Sequence, residues 1–282
     1  MPTLRAFAVL AIFVLLTLLC IPLQYTALRL KLKARKTIPN RFNRLLCALF
    51  DIRITVIGKP IEDRGVLMVA NHTGYFDILI LAATARASFV AKSEVATWPF
   101  FGMMARLQES IFIERTRRSR AGVARNELRE RLSEGDALVL FPEGTSTDGN
   151  RVVAFKSALM GAVEAELGID ASGHTRYVPV QPISVSYVGL HGMPMGRETR
   201  PLFAWYGDME LLPHLWEALK AGPLDVVVEF HPPLTVDTAG GRKKIAALAE
   251  TIIRRGQRLA LAGVRSAPAV APTGDSLAEA AL

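Results

Sequence analysis

The sequence predicts an α/β fold, a largely parallel sheet flanked by helices, behind an N-terminal membrane helix or helical hairpin. Three observations predict it. Short apolar runs recur along the chain and alternate with helical patterns. A stretch of 23 residues, Ala6 to Leu28, carries no charge. Residues 1–50 hold eight Lys or Arg and no acid, so the whole net charge of +8 lies there.

Composition narrows the function classes. Half of the 282 residues are apolar and 21% are charged, which excludes wholesale disorder and leaves room for one α/β domain with appendages. Two cysteines cannot build a disulfide framework or a four-cysteine zinc site, and no metal site is expected. After residue 50 the chain carries 26 basic and 26 acidic side chains, so nothing favours a nucleic-acid-binding face. No Walker A loop, G-x-G-x-x-G or G-x-S-x-G is present, which argues against nucleotide enzymes and α/β-hydrolases.

The N-terminal elements come first. As a helix, Ala6–Leu28 is long enough for the ~30 Å hydrocarbon core, with Pro22 expected to kink or end it near the interface. The cluster from Arg29 to Arg44 follows directly, and by the positive-inside rule it keeps the rest of the chain cytoplasmic. The same cations suit an anionic membrane surface. That basic run opposes a cleaved signal peptide, and Leu19 before Cys20 opposes a lipoprotein site. A hairpin in one leaflet, with residues 41–50 as its second amphipathic arm, is the alternative to a full span. Residues 1–50 are thus expected to be the membrane-anchoring and basic juxtamembrane region, 51–262 the catalytic domain and 263–282 a flexible tail rich in Ala, Pro and Ser.

Within the domain, buried strands are expected at Val66–Ala70, Ser88–Ala91, Ile111–Ile113, Ala137–Phe141, Val178–Val185 and Val226–Phe230. Helices are expected over 117–134, and over 154–168, where Phe155, Leu159, Val163 and Leu167 form one stripe. Strands alternating with helices imply a mostly parallel sheet.

Three segments carry chemistry. Residues 66–77 read VLMVANHTGYFD. Inside one helix His72 and Asp77 would sit about 140° apart. With His72 before the helix and Asp77 in its first turn or two, Asp77 accepts a hydrogen bond from one imidazole nitrogen and leaves the other basic. A helix-capping His with a solvated Asp is the competing reading. Residues 137–151 read ALVLFPEGTSTDGNR, a strand entering a tight turn that puts Glu143 and Thr145 at its carboxyl end, where open α/β sheets bind ligands. Residues 110–118 read SIFIERTRR, with Arg115 nearest the strand end and suited to a phosphate or carboxylate. Arg117, Arg118 and Arg120 read as a solvated helix start. His174, His191, His214 and His231 lack metal-ligand spacing and read as structural or surface residues. VATWPFFGMM at 95–104 suits an acyl-chain groove, or else plain core or membrane-facing surface.

The order and spacing of these segments resemble the lysophospholipid (glycerolipid) acyltransferase family, typified by 1-acylglycerol-3-phosphate acyltransferases. The family's NHxxxxD block falls on Asn71–Asp77, its F-I-x-R block on Phe112–Arg115, FPEGT on Phe141–Thr145 and its proline-containing strand on Val178–Ile183. The resemblance spans about residues 45–260. It implies the glycerolipid acyltransferase fold, His72 as general base, Asp77 as its orienting partner and Arg115 as a binder of the acceptor's anionic headgroup. Glu143, Gly144 and Thr145, with Lys156 beyond them, would serve acceptor binding. No cofactor is implied; acyl-acyl carrier protein or acyl-CoA is the co-substrate. No Cys or Ser stands beside His72, so direct attack of the hydroxyl on the thioester is expected rather than an acyl-enzyme. A bacterial inner (cytoplasmic) membrane location follows, with the catalytic domain on the cytoplasmic side.

One departure bears on the acceptor. Phosphatidic-acid-forming members usually carry arginine just after FPEGT, where this chain has Ser146. The segments FPEGTSTDGNRVVAFKSAL, LHGMPMGR and WYGDMELLPHLW are similar to lyso-ornithine lipid acyltransferases. By sequence alone lysophosphatidate ranks narrowly first, as the broader family acceptor, and lyso-ornithine lipid second. Two rivals of other classes are a non-catalytic lipid-binding membrane protein and a membrane-anchored hydrolase using His72 to activate water.

Overall fold

Unbroken apolarity makes the first helix. The structure, a computed structural model, describes residues 2–114, 118–164, 166–169 and 173–264, with the side chains of 118–121 and 124 excepted. Helix α1 (Pro2–Arg29) is long and apolar enough to cross a membrane. It continues through Pro22 instead of ending there, because in apolar surroundings any non-helical backbone would leave more polar groups unpaired than one proline does. Ala6, Val9, Thr17, Gln24 and Ala27 form its buried stripe, while Phe7, Leu15, Leu18, Leu19 and Leu23 face outward.

A turn at residues 30–33 leads to helix α2 (Ala34–Leu49), so the chain displays the helical hairpin. Both ends of α1 seat on the domain. Arg5 Nη1 donates to Leu219 O at 3.2 Å, and Gln24 Nε2 donates to Leu107 O at 2.7 Å. Asn40 Nδ2 bonds Ala82 O at 2.7 Å, and buried Asp136 pairs with Lys36 of α2 and with Arg131. Phe42, Leu46, Cys47 and Phe50 belong to the same apolar core as the sheet.

The sheet elements follow in order: β1 (Ile52–Ile57), β2 (Val66–Ala70), α3 (Phe76–Thr84), β3 (Ser88–Lys92), α4 (Phe101–Leu107), β4 (Ile111–Ile113), α5 (Arg118–Ser133) and β5 (Ala137–Leu140). After them come β6 (Glu166–Ile169), β7 (Thr175–Tyr177), β8 (Val180–Leu190), β9 (Met193–Pro194), α6 (Leu211–Ala221), β10 (Leu224–Phe230), α7 (Val236–Ala239) and α8 (Arg242–Leu261). The strand order is β1-β10-β8-β2-β5-β3-β4, with β9 on β8, and β6 and β7 form a separate pair. Neighbours in the large sheet are parallel except at β10/β8 and β8/β9. All six expected strands are present.

Side chains alternate across the sheet with the period of two that a pleated strand dictates. Met68, Ala70, Val139, Ile183, Val185 and Val228 face the layer of α1, α2, α3 and α6. Leu67, Val69, Leu138, Leu140, Val178 and Val180 face α5, α7 and α8. Burial on both faces is why β2 reads as a continuous apolar run, and β8 is likewise buried from Val180 to Tyr187.

The helix expected over 154–168 is corrected. A 3₁₀ segment spans Ser157–Glu164 with a kink at Met160, and Leu167 lies in β6. Side-chain anchoring explains part of this: Glu143 holds Val153 N–H and Glu250 holds Phe155 N–H, which keeps the start extended. Gly161 and Gly168 weaken helix beyond it. The stripe still packs as read, since Val163 is buried with Phe155, Leu159 and Leu167 against it. The tail beyond residue 264 lies outside the described residues.

Candidate active site

Strands β2 and β5 are parallel neighbours, with Val69 opposite Leu140. Their carboxyl ends therefore deliver residues 71–75 and 141–145 side by side. His72 lies in the loop after β2, and Asp77 in the first turn of α3. The chain bends between them, and His72 Nδ1 lies 2.9 Å from Asp77 Oδ2. That oxygen also accepts Thr73 N–H at 2.6 Å and Gly74 N–H at 3.0 Å. Asp77 is 0% exposed and its other oxygen accepts the Tyr187 hydroxyl at 2.8 Å, so the carboxylate is filled with donors and the Nδ1 proton completes the set. Nε2 keeps its lone pair. The ring stacks on Phe141, centroids 4.0 Å apart, and the side chain is 22% exposed, open to an approaching hydroxyl.

Glu143 does something the sequence does not state. It is 1% exposed, and its two oxygens accept His72 N–H at 3.0 Å and Val153 N–H at 3.2 Å. It joins the loop that carries His72 to the segment that follows Thr145. Burial pushes its carboxyl up to about 8, against the two backbone N–H groups that pull it down. Thr147 holds His72 from the other side, with its N–H on His72 O at 2.9 Å. Gly149 is required here: its φ is +75° and a Cβ would meet Thr73 Cγ2 at 3.1 Å.

Gly144 turns the chain at φ +72°, which exposes Thr145 at the rim; Lys156 is also exposed, its N–H on Pro142 O. Arg115 lies outside the described residues. The structure thus brings His72, Asp77 and Glu143 together and places Gly144, Thr145 and Lys156 on the adjoining turn. Sequence reasoning places Asn71 in the first motif without a role, where its amide exchanges two 2.9 Å bonds with Val185 main chain, and it misses Tyr187. It also misses Arg200, buried with its guanidinium on Tyr187 O, Met195 O and Asn150 Oδ1. For Asn71 a signal existed, an amide directly ending a buried strand; for the other two only the fold supplies proximity.

An aromatic cluster leads from the site to α1. Thr73 O accepts Trp205 N–H, Trp205 packs edge-on to Trp98, and Phe100 meets Phe13 of α1. Trp98, Phe100 and Met103 remain partly exposed. Of the scattered histidines, His214 bonds Tyr75 Oη at 2.8 Å and His231 bonds Ser184 Oγ at 3.0 Å.

Residues 53–186 match the profile of the Acyltransferase family. The chain is 45% identical over 261 residues to a lyso-ornithine lipid O-acyltransferase of Brucella abortus, covering 93% of this chain and 97% of that one. The chain belongs to the lysophospholipid/glycerolipid acyltransferase family. A lyso-ornithine lipid O-acyltransferase of Rhizobium meliloti is 41% identical over 86% of this acyltransferase and 82% of its own length. A 1-acyl-sn-glycerol-3-phosphate acyltransferase of Neisseria gonorrhoeae is 30% identical over 68% and 72%. The crystal structure of the 1-acyl-sn-glycerophosphate acyltransferase from Thermotoga maritima superposes with a TM-score of 0.66 at 23% identity, over 95% of this acyltransferase and 100% of that chain, which establishes the fold. The family acts on a lysolipid acceptor with an acyl donor, and the apolar first helix agrees with membrane association.

Proposed function

We propose that this acyltransferase moves a fatty acyl group from an acyl thioester to the hydroxyl of lyso-ornithine lipid, forming ornithine lipid. The near full-length similarity to the Brucella protein carries the reading, and Ser146 in place of the usual arginine supports it. The identities of the Brucella and Rhizobium relatives support placing lyso-ornithine lipid ahead of lysophosphatidate, which by sequence alone ranks narrowly first. Lysophosphatidate stays as the second reading, favoured by the Neisseria relative.

The geometry supports direct transfer. His72 Nε2 takes the proton of the acceptor hydroxyl as its oxygen attacks the thioester carbonyl carbon. The new C–O bond gives a tetrahedral oxyanion; its collapse breaks C–S, and the thiolate leaves with the proton held on Nε2. Asp77 fixes the ring and stabilises the imidazolium. Glu143 is a positioning residue that holds the His72 backbone. Arg115, Gly144, Thr145 and Lys156 are assigned to the acceptor headgroup, whose carboxylate suits a guanidinium. Cys20 and Cys47 both lie in the hairpin, which agrees with transfer free of an acyl-enzyme. The donor thioester is carried by acyl carrier protein or coenzyme A.

The hairpin sets the membrane geometry. Arg5 and Gln24 are about 28 Å apart along α1, yet both bond the domain. A helix crossing the bilayer would leave the domain behind within a few turns. We therefore place α1 along the domain, its outer leucines in one leaflet on the cytoplasmic side of the bacterial inner membrane. Trp98, Phe100 and Met103 continue that surface toward His72. A lysolipid can then reach the base without leaving the membrane.

Purified enzyme in vesicles, given labelled acyl thioester with lyso-ornithine lipid or lysophosphatidate, tests the acceptor. Labelled ornithine lipid is expected; product from lysophosphatidate alone would overturn the assignment.

A further inference from the structure

The structure assigns Tyr187 as a positioning residue for acyl transfer: its hydroxyl, buried on β8, holds Asp77 so that the carboxylate presents its other oxygen to His72. The inference rests on the proposed role of the His72–Asp77 pair and deepens it.

Asp77 distributes its donors unequally. Oδ2 receives Thr73 N–H, Gly74 N–H and His72 Nδ1, whereas Oδ1 receives the Tyr187 hydroxyl at 2.8 Å. Fully buried, the carboxylate has no water to replace a missing donor. The tyrosine therefore supplies the hydrogen bond that fixes the rotation of the carboxylate about its own axis.

The surrounding structure aims Tyr187 at this one atom. Strand β8 lies beside β2, and the Asn71 amide exchanges bonds with both main-chain groups of Val185, two residues before Tyr187 on the same face. Arg200 Nε holds the Tyr187 carbonyl at 3.1 Å. Register and carbonyl are thus both clamped, and 110 residues of chain separation are closed by three side chains.

The phenol keeps its proton. Burial, then the Asp77 charge, pushes Tyr187 well above its ordinary value, so it stays a donor throughout the working range. The titratable groups around the pair are His72 and Tyr75 from the β2–α3 loop, Glu143 from the end of β5 and Cys47 from α2.

The test is Tyr187→Phe, which removes the hydroxyl and keeps the ring. Its kcat should fall about 10- to 100-fold with the acceptor KM unchanged within about 2-fold. The acid limb of the kcat–pH profile should move to higher pH, because Oδ1 has lost the donor that favours the charged carboxylate. A tyrosine that merely packs would leave the limb in place. An unchanged limb and a kcat within about 2-fold of wild type would overturn the assignment. If Tyr187→Phe does not fold, 3-fluorotyrosine at 187 keeps the packing and strengthens the donor; the limb should then move to lower pH, and no movement would overturn the inference. Profiles are taken on whichever acceptor the wild type turns over. Product from lysophosphatidate alone therefore counts against the proposed acceptor, and an unmoved limb counts against Tyr187.

Discussion

Glu143 shows what a single residue can and cannot reveal in sequence. FPEGT marks it for the site, but only the fold shows both oxygens turned inward onto His72 N–H and Val153 N–H. A carboxyl that titrates near 8 when folded, against an ordinary 4.5, binds an extra proton in the folded state between those values. Wild-type stability should therefore fall as pH rises through that window. Glu143→Gln carries no such proton, so its melting temperature relative to wild type should rise from about pH 5 to about pH 8. Melting curves that stay parallel across that range would contradict the shift. Arg115→Ala should raise the acceptor KM about 10-fold or more with kcat little changed, as loss of one charged hydrogen bond predicts; an unchanged KM would remove Arg115 from the headgroup site. His72 and Asp77 were legible because the strand end and helix start lie within six residues. Tyr187 was not, because β-sheet order rather than spacing brings it to Asp77, and Arg200 was not, because the chain after β9 folds it back onto β8.

Among the elements, the hairpin carries the clearest consequence. Its outer face, Leu15, Leu18 and Leu19, is exposed while its inner face is core. Burying a leucine is worth roughly 1.5–3 kcal/mol. Replacing these three with lysine should weaken vesicle binding at least about 100-fold and leave the domain's melting temperature within a few degrees. A variant that still floats with vesicles would show that α1 does not face lipid. Apolarity made the helix readable, but not its attachment, which depends on Arg5, Gln24 and Asn40 reaching carbonyls far along the chain. Six strands were legible as apolar runs; β1, whose alternating Ile, Arg, Ile and Thr is half-buried, and the short β6, β7 and β9, which are mostly exposed, were not. At 154–168 the helical period predicted the packing face and missed the backbone, since side chains from α8 and from the β5 turn take the N–H groups at its start.

Across the whole molecule, charge and apolar surface are placed together. The net charge of +8 lies in the first 50 residues, in or beside the hairpin whose outer face is apolar. Binding to anionic vesicles should accordingly weaken as salt rises and then level off, because screening removes the ionic part and leaves the apolar part. Binding that salt abolishes would place the weight on charge alone. The same arrangement brings a base, an orienting carboxylate and a lipid surface to one end of a parallel sheet. In that arrangement His72 carries the transfer. Membranes bearing wild type or His72→Ala, given one labelled acyl thioester and lyso-ornithine lipid, test this by the labelled product resolved on thin layers. Product is expected from wild type, with a loss of about 100- to 10,000-fold in His72→Ala at equal protein and membrane content; product at the wild-type rate from His72→Ala would contradict His72 as the base.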